Sequence, residues 1–353
     1  MKKKYAFDCL VSALVVMLGA TAQADLLAIS SSNGHLWTRD HSNLGPDVSE
    51  ANFGGGIAIR AALNSLGELA VGRSDFANAD VRPITSVSSD CCGATFGGPA
   101  NSMTAVGVAE NEHFALGMND GSIFVRDRTN LGATAPGVSG DGTIFNTQIN
   151  AIARLSNGHL VIANNNGEVF VRDKNDITQV APGASADGIN FGVPITSLAV
   201  TANDDVVIAL SGGVIDTRPW FNIAASHGDI NFAISGSAYA AVRSDGNVLL
   251  GFGNGQVFVR NPLNLGPDVD DASFGFAITA LAVDKNDNSI IGDTLGQVFV
   301  RDANNLGQTP AGFSGDGINF GESILSLNVV PEPSTALLLA FGVSLIGFLR
   351  RIR

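Results

Sequence analysis

The strongest constraint on this chain is a phrase that it repeats. "GSIFVRD" begins at Gly121, "GEVFVRD" at Gly167, "GQVFVRN" at Gly255 and "GQVFVRD" at Gly296, with a diverged copy, "GHLWTRD", at Gly34. Two more copies are degenerate: "ADVRP" ends at Pro83 and "GVIDTRP" at Pro219. The aligned arginines are Arg39, Arg82, Arg126, Arg172, Arg218, Arg260 and Arg301, which recur at nearly even spacing. The chain therefore holds seven units of about 44 residues, and a chain built from one supersecondary unit must bury its apolar faces unit against unit.

A second landmark checks the count. Alternating apolar segments such as "ITSLAV" and "ITALAV" start at Ile57, Met103, Ile149, Ile195, Ser237 and Ile278. The interval from start to arginine is constant, as from Ile149 to Arg172 and from Ile195 to Arg218, except in the second unit, where Ile57 to Arg82 runs two positions longer. Each unit reads as strand a (ITALAV), an Asn/Asp/Gly turn, strand b (NSIIGD), a Gly turn, strand c (QVFVRD) and a longer polar segment able to hold a short strand d. Repeats of about 40 to 45 residues with three or four strands are the pattern of propeller blades. The expectation is an all-β, seven-bladed β-propeller. "WTRD" echoes the end of strand c in WD40 units, but the Gly-His signature of those units is not repeated.

Counting the same interval back from Arg39 puts the first strand a at Val16, inside an N-terminal segment that reads as an export signal. The chain supplies a spare, "ILSLNVV" (Ile324 to Val330), which matches strand a and has no b and c after it. Ring closure is therefore expected from 324–330 inserting as the innermost strand of blade one, which removes edges that would otherwise be free to aggregate.

The two ends read as addresses. Lys2, Lys3 and Lys4 precede an apolar run, Leu10 to Leu18, and then Ala22-Gln23-Ala24. That three-part order is a secretory signal over 1–24, with a mature start at Asp25. At the other end stands "VPEPSTALLLAFGVSLIGFLRRIR", whose uncharged run 336–349 has fourteen residues, against about 20 for a comfortable membrane span. Arg350, Arg351 and Arg353 would stay cytoplasmic. Two prolines flanking a glutamate keep the preceding segment extended and accessible.

Val330, Pro331, Glu332, Pro333 and Ser334, followed by the short apolar helix and the terminal arginines, resemble the PEP-CTERM sorting signal. The resemblance implies processing by exosortase, a membrane cysteine protease of Gram-negative bacteria that make extracellular polysaccharide. It also implies transient anchoring in the inner membrane through 336–349, cleavage near Pro331 to Pro333, and release or transfer to the cell surface or the extracellular space. It covers the tail 331–353 and leaves 25–330 as the propeller.

Composition narrows the partners. The formal charge of −13 becomes about −18 once the signal lysines, Asp8 and the tail arginines are removed. A surface this acidic argues against nucleic acid and anionic lipid. Only Cys91 and Cys92 survive signal removal, so no disulfide framework holds the fold, although the adjacent pair is a candidate vicinal disulfide.

Few residues point to chemistry. A group required in one active site would not recur in every blade, so the repeated Arg and Asp of "VFVRD" read as blade-to-blade hydrogen bonds and turn caps. Asp284, Asn286 and Asn288 in "DKNDNS" resemble the start of an oxygen-ligand calcium loop, but Ser289 and Leu295 stand where an EF-hand needs glycine and an acid. The five histidines share no metal-ligand spacing, and there is no nucleophile elbow, H-E-x-x-H helix or phosphate loop. No cofactor is expected.

Departures from the repeat are the better places for recognition. Blade two carries "ITSVSSDCCGATFGGPANS" before Met103, and blade five carries "RPWFN". There Trp220 and Phe221, read as exposed, are candidates to stack on a sugar face. The expected function is a non-catalytic surface or extracellular-matrix module, associated with exopolysaccharide or biofilm. The alternative is a secreted lyase or glycosidase on the same scaffold.

Overall fold

The computed structural model of the protein describes residues 26–330 apart from 76, 98 and 99. The signal at 1–24, the PEP segment 331–334, the apolar run 336–349 and the terminal arginines lie outside the described residues.

The described chain forms seven antiparallel sheets, each ordered a-b-c-d from the axis outward, with blade three pairing two outer strands, Asn130–Thr134 and Thr143–Ile144, to its strand c. Blade four shows the pattern, with a at Ile149–Arg154, b at Leu160–Asn164, c at Glu168–Arg172 and d at Ile189–Asn190. The strands a of neighbouring blades touch around the whole ring. The fold is a seven-bladed β-propeller.

Burial follows from stacking sheets face to face. Strand b has a neighbouring blade on both faces, and Phe114–Met118, Leu160–Asn164, Val248–Phe252 and Ser289–Asp293 are buried at every position. That is why strand b reads as a continuous apolar run. The apolar clusters are spread around the ring instead of meeting in one core. Each spans a blade interface, as where Val161 and Val169 of blade four meet Ile195, Val206 and Ile208 of blade five.

The seam of the ring is built like the other interfaces. Ile324–Val329 pairs antiparallel with Leu26–Ser31, and its Ile324 and Leu327 join Ala280, Ile290 and Val298 of blade seven in one apolar cluster. The side chain of Ile324 lies where a Cβ on Gly292 would approach to 2.8 Å. The same fit recurs at Ile149 against Gly117 and Ile278 against Gly251. Glycine in strand b thus makes room for the first residue of the next blade's strand a. Side-chain hydrogen bonds to carbonyls tie the inner ring: Thr104 Oγ1 to Ile149 (2.6 Å), Asn150 Nδ2 to Ile195 (2.8 Å) and Ser30 Oγ to Ile59 (2.8 Å).

Two boundaries differ from the sequence reading. Strand a of blade two begins at Ile59, not Ile57, so its interval to Arg82 equals that from Ile149 to Arg172 and the exception disappears. Blade six begins at Ala238 rather than Ser237. Strand d is present in every blade but varies from two residues at Ile318–Asn319 to ten at Asn43–Asn52 and Asn264–Ser273.

Candidate functional site

The repeated arginine corrects the sequence reading of its role. Among the described residues it makes no hydrogen bond across blades; it lies over a phenylalanine from the preceding blade. The seven pairs are Arg39 on Phe320, Arg82 on Phe53, Arg126 on Phe96, Arg172 on Phe145, Arg218 on Phe191, Arg260 on Phe232 and Arg301 on Phe274, with the guanidinium carbon 4.7–5.3 Å from the ring centre. This is cation–π distance. The hydrogen bonds stay within the blade: Arg172 donates to Asp187 at 2.6 Å and to the Thr178 carbonyl at 3.2 Å, closing the c–d loop. The aspartate that follows caps the turn as expected, as where Asp127 Oδ1 accepts from the amide and hydroxyl of Thr129.

The degenerate copies keep this clasp by another route. Two residues before the arginine most blades place Phe or Trp (Trp37, Phe124, Phe170, Phe258, Phe299), but blades two and five place Asp80 and Asp216. Asp216 accepts from Arg218 Nε at 2.9 Å, and its other oxygen accepts from Ser226 Oγ at 2.8 Å. Asp80 takes Arg82 Nη2 at 3.4 Å. In these blades a carboxylate stands on strand c, and in blade two Asp90 of the outer segment adds a second at 3.7 Å from Arg82.

Trp220 and Phe221 sit on a short 3-10 turn, Trp220–Asn222, and they part company. Trp220 is half-buried, packed on the blade-four cluster with its ring centre 6.1 Å from His159 and its edge against Gly183. Trp220 is therefore less exposed than the sequence reading took it to be, because the turn folds it onto the blade-four interface. Phe221 is 53 % exposed, while its carbonyl accepts from the Ser185 amide at 2.7 Å. Equivalent rim contacts tie Ser139 to Asn175 and Ser314 to Ser42. The sulfurs of Cys91 and Cys92 are joined as a vicinal disulfide on the outer strand of blade two, near the Arg128 carbonyl of blade three.

The loop of Asp284, Asn286 and Asn288 turns its oxygens inward. Asp284 Oδ1 accepts from the amides of Asn286 and Asn288, and Oδ2 from Asn288 Nδ2 at 2.8 Å and His41 Nε2 at 3.1 Å. Burial opposes its ionisation, but these donors outweigh burial and hold the carboxyl below the usual aspartate range. A carboxylate spent on four donors has little left for calcium, and among the described residues no three or more His, Cys, Asp or Glu side chains are grouped to hold a metal. His113 and His159 are structural too. Each Nδ1 accepts a backbone amide, from Arg128 at 3.3 Å and Lys174 at 3.2 Å, and burial lowers both pKa values.

Sequence reasoning missed the inner ring. Five strands a carry a bulge after their first residue, at Leu325, Thr104, Asn150, Thr196 and Thr279; blades two and six do not. At that position those two blades carry Arg60 and Tyr239. Burial holds the Arg60 pKa below its usual value and the Tyr239 phenol opposes the shift.

Val330, the residue just before the PEP segment, donates its amide to the Leu26 carbonyl and packs beside blade one. The model of the PEP-CTERM protein-sorting motif matches residues 329–353. The chain carries a PEP-CTERM sorting motif. The motif implies an exported protein that passes a membrane and is processed by exosortase. Among the described residues no helix is long and apolar enough to cross a membrane.

Solved structures of similar shape agree on the fold. The computationally designed Ika8 protein matches with a TM-score of 0.61 and 19 % identity, over 87 % of this chain and 88 % of that one. The C-terminal WD40 domain of Sif2 matches at 0.57 and 14 %, over 87 % and 83 %. The WD40 β-propeller domain of Doa1 matches at 0.59 and 13 %, over 77 % and 87 %. No curated protein matches the chain in sequence.

Proposed function

We propose that the protein is a non-catalytic interaction module of the cell surface or extracellular matrix, in contact with extracellular polysaccharide. The observation that carries the reading is the position of the sorting motif. It begins where the ring-closing strand ends, at Val329 and Val330, so a cut after Val330 frees a ring with all its strands. A rigid, acidic ring that is released outside the cell is suited to present loops to a partner. Its blades are alike in their clasps and differ in their outer segments, and a ring of similar units discriminates through what differs.

The test is localisation of the protein with and without residues 331–353, scored beside its retention on the polysaccharide of the producing cell. The reading expects the intact protein to be shortened, exported and retained, and the shortened gene product to lose its address. New reducing ends or unsaturated sugars on incubation with that polysaccharide would instead identify a glycosidase or lyase, and would overturn the non-catalytic reading.

A further inference from the structure

Blade two holds a polar cleft. Its volume is about 410 Å³, and it is lined by Arg73, Asn78, Asp80, Gly93, Ala94 and Thr95. Its origin is the exchange already described: Asp80 stands two residues before the clasp arginine, where five other blades have an aromatic ring. The exchange alone does not open a cleft, because blade five makes it too. There Asp229 stands opposite Asp216, and Ser226 fills the second carboxylate oxygen. In blade two the residue opposite Asp80 is Gly93, and a Cβ there would come to 2.6 Å from Asp80 Oδ1. Gly93 does not have the positive φ that favours glycine. The space is what distinguishes it.

The polar groups around that space are partly used and partly free. Asp80 is 8 % exposed, and its Oδ2 faces Arg82 at 3.4 Å and Arg73 at 3.9 Å. Its Oδ1 has no hydrogen-bond donor among the described residues. Arg73 gives Nε and Nη2 to Asp75, at 2.9 and 2.5 Å, which leaves Nη1 toward Asp80. Asn78 Oδ1 accepts from Thr95 Oγ1 at 2.6 Å. Asp80 Oδ1 therefore faces the cleft as an acceptor that a bound donor can use.

Charge selects the ligand. A cation is repelled by the guanidinium groups of Arg73 and Arg82, and an anion by Asp80 and Asp75. What remains is a neutral group that donates to Asp80 Oδ1 and accepts from Arg73 Nη1, the two-way chemistry of a hydroxyl pair. We propose that this cleft binds a neutral saccharide through two adjacent hydroxyls, one donating to Asp80 and its neighbour accepting from Arg73. The inference rests on the proposed polysaccharide contact and assigns that contact to a place on the ring.

The test is titration of the exported, processed protein with methyl α-mannopyranoside, which has a cis hydroxyl pair, and with methyl α-glucopyranoside, which does not. Binding is followed by amide NMR shifts, with retention on the cell's polysaccharide measured in parallel. The expected result is saturable shifts confined to the amides around Gly93 and Thr95. Gly93→Ala should weaken binding by at least about tenfold while the melting temperature stays near that of the parent. Arg73→Gln, which removes the proposed Nη1 donor and leaves Gly93 in place, serves the same purpose if Gly93→Ala does not fold. No shift with either sugar, or undiminished binding by the variants, overturns the assignment. If the variants still hold polysaccharide, the cleft is wrong and the general reading survives. If the parent protein holds none, the general reading itself fails.

Discussion

Replacing Ile324 by alanine tests whether the last strand is part of the ring. Ile324 is fully buried, and its side chain fills the room left by Gly292 in the neighbouring blade. Truncating such a side chain removes three carbons from a site that cannot collapse on a rigid sheet, at a cost of about 2–5 kcal/mol. Around 2 °C per kcal/mol is expected for a domain of this size, so the melting midpoint should fall by roughly 4–10 °C. The molecule carries its own standard: Ile195, also fully buried, holds the same position in strand a of blade five, far from either end. Thermal melts by circular dichroism of the parent, Ile324→Ala and Ile195→Ala should show two losses of similar size. If Ile195→Ala lowers the midpoint while Ile324→Ala leaves it within about 1 °C, a loss below about 0.5 kcal/mol, the strand does not close the ring.

The clasp predicts a measurable coupling. Arg172→Ala should cost about 2–3 kcal/mol because it leaves the partly buried Asp187 unpaired, and a double-mutant cycle with Phe145→Leu should return about 0.5–2 kcal/mol for the cross-blade contact; no coupling would reduce it to proximity. Burial pulls the His113 and His159 pKa values below 6.5, so the folded form binds fewer protons than the unfolded one. The stability they contribute is full above about pH 6.5 and is lost as the pH falls below it. In blade seven Asn288 Oδ1 takes the same part, accepting from the Ala303 amide at 3.2 Å. The His113→Asn, His159→Asn double variant should therefore lose less stability between about pH 7 and pH 5.5 in denaturant titrations, and an unchanged pH profile would remove these histidines from the account. Trp220→Ala should cost about 2–4 kcal/mol and Phe221→Ala less than about 0.5 kcal/mol; the reverse order in a melt would contradict their placement.

Much of this was legible because a repeat reports its own register. The constant interval from strand a to the arginine locates each blade, and it would have moved the second start from Ile57 to Ile59 had it been trusted over "GGGIAI", where alternation fits either isoleucine. Strand d was hard to read because a two-residue pairing such as Ile189 with Val169 leaves no periodicity. The clasp was half visible. A phenylalanine stands at a nearly constant distance before each arginine from Arg82 onward, at Phe53, Phe96, Phe145, Phe191, Phe232 and Phe274, but only the stacking of blades turns that interval into contact. Trp220 was misread because a short turn decides which way an aromatic faces. The cleft was not legible at all, since it depends on Gly93 lying opposite Asp80 rather than on either residue alone.

The most direct test of the account is the intact mass of the protein recovered outside the producing cell, with both termini sequenced. The account predicts a chain that starts at Asp25, ends between Pro331 and Pro333, and melts as cooperatively as a ring with its closing strand in place. Recovery of a chain that still carries residues 336–353, or one cut before Val329 inside the closing strand, would contradict it.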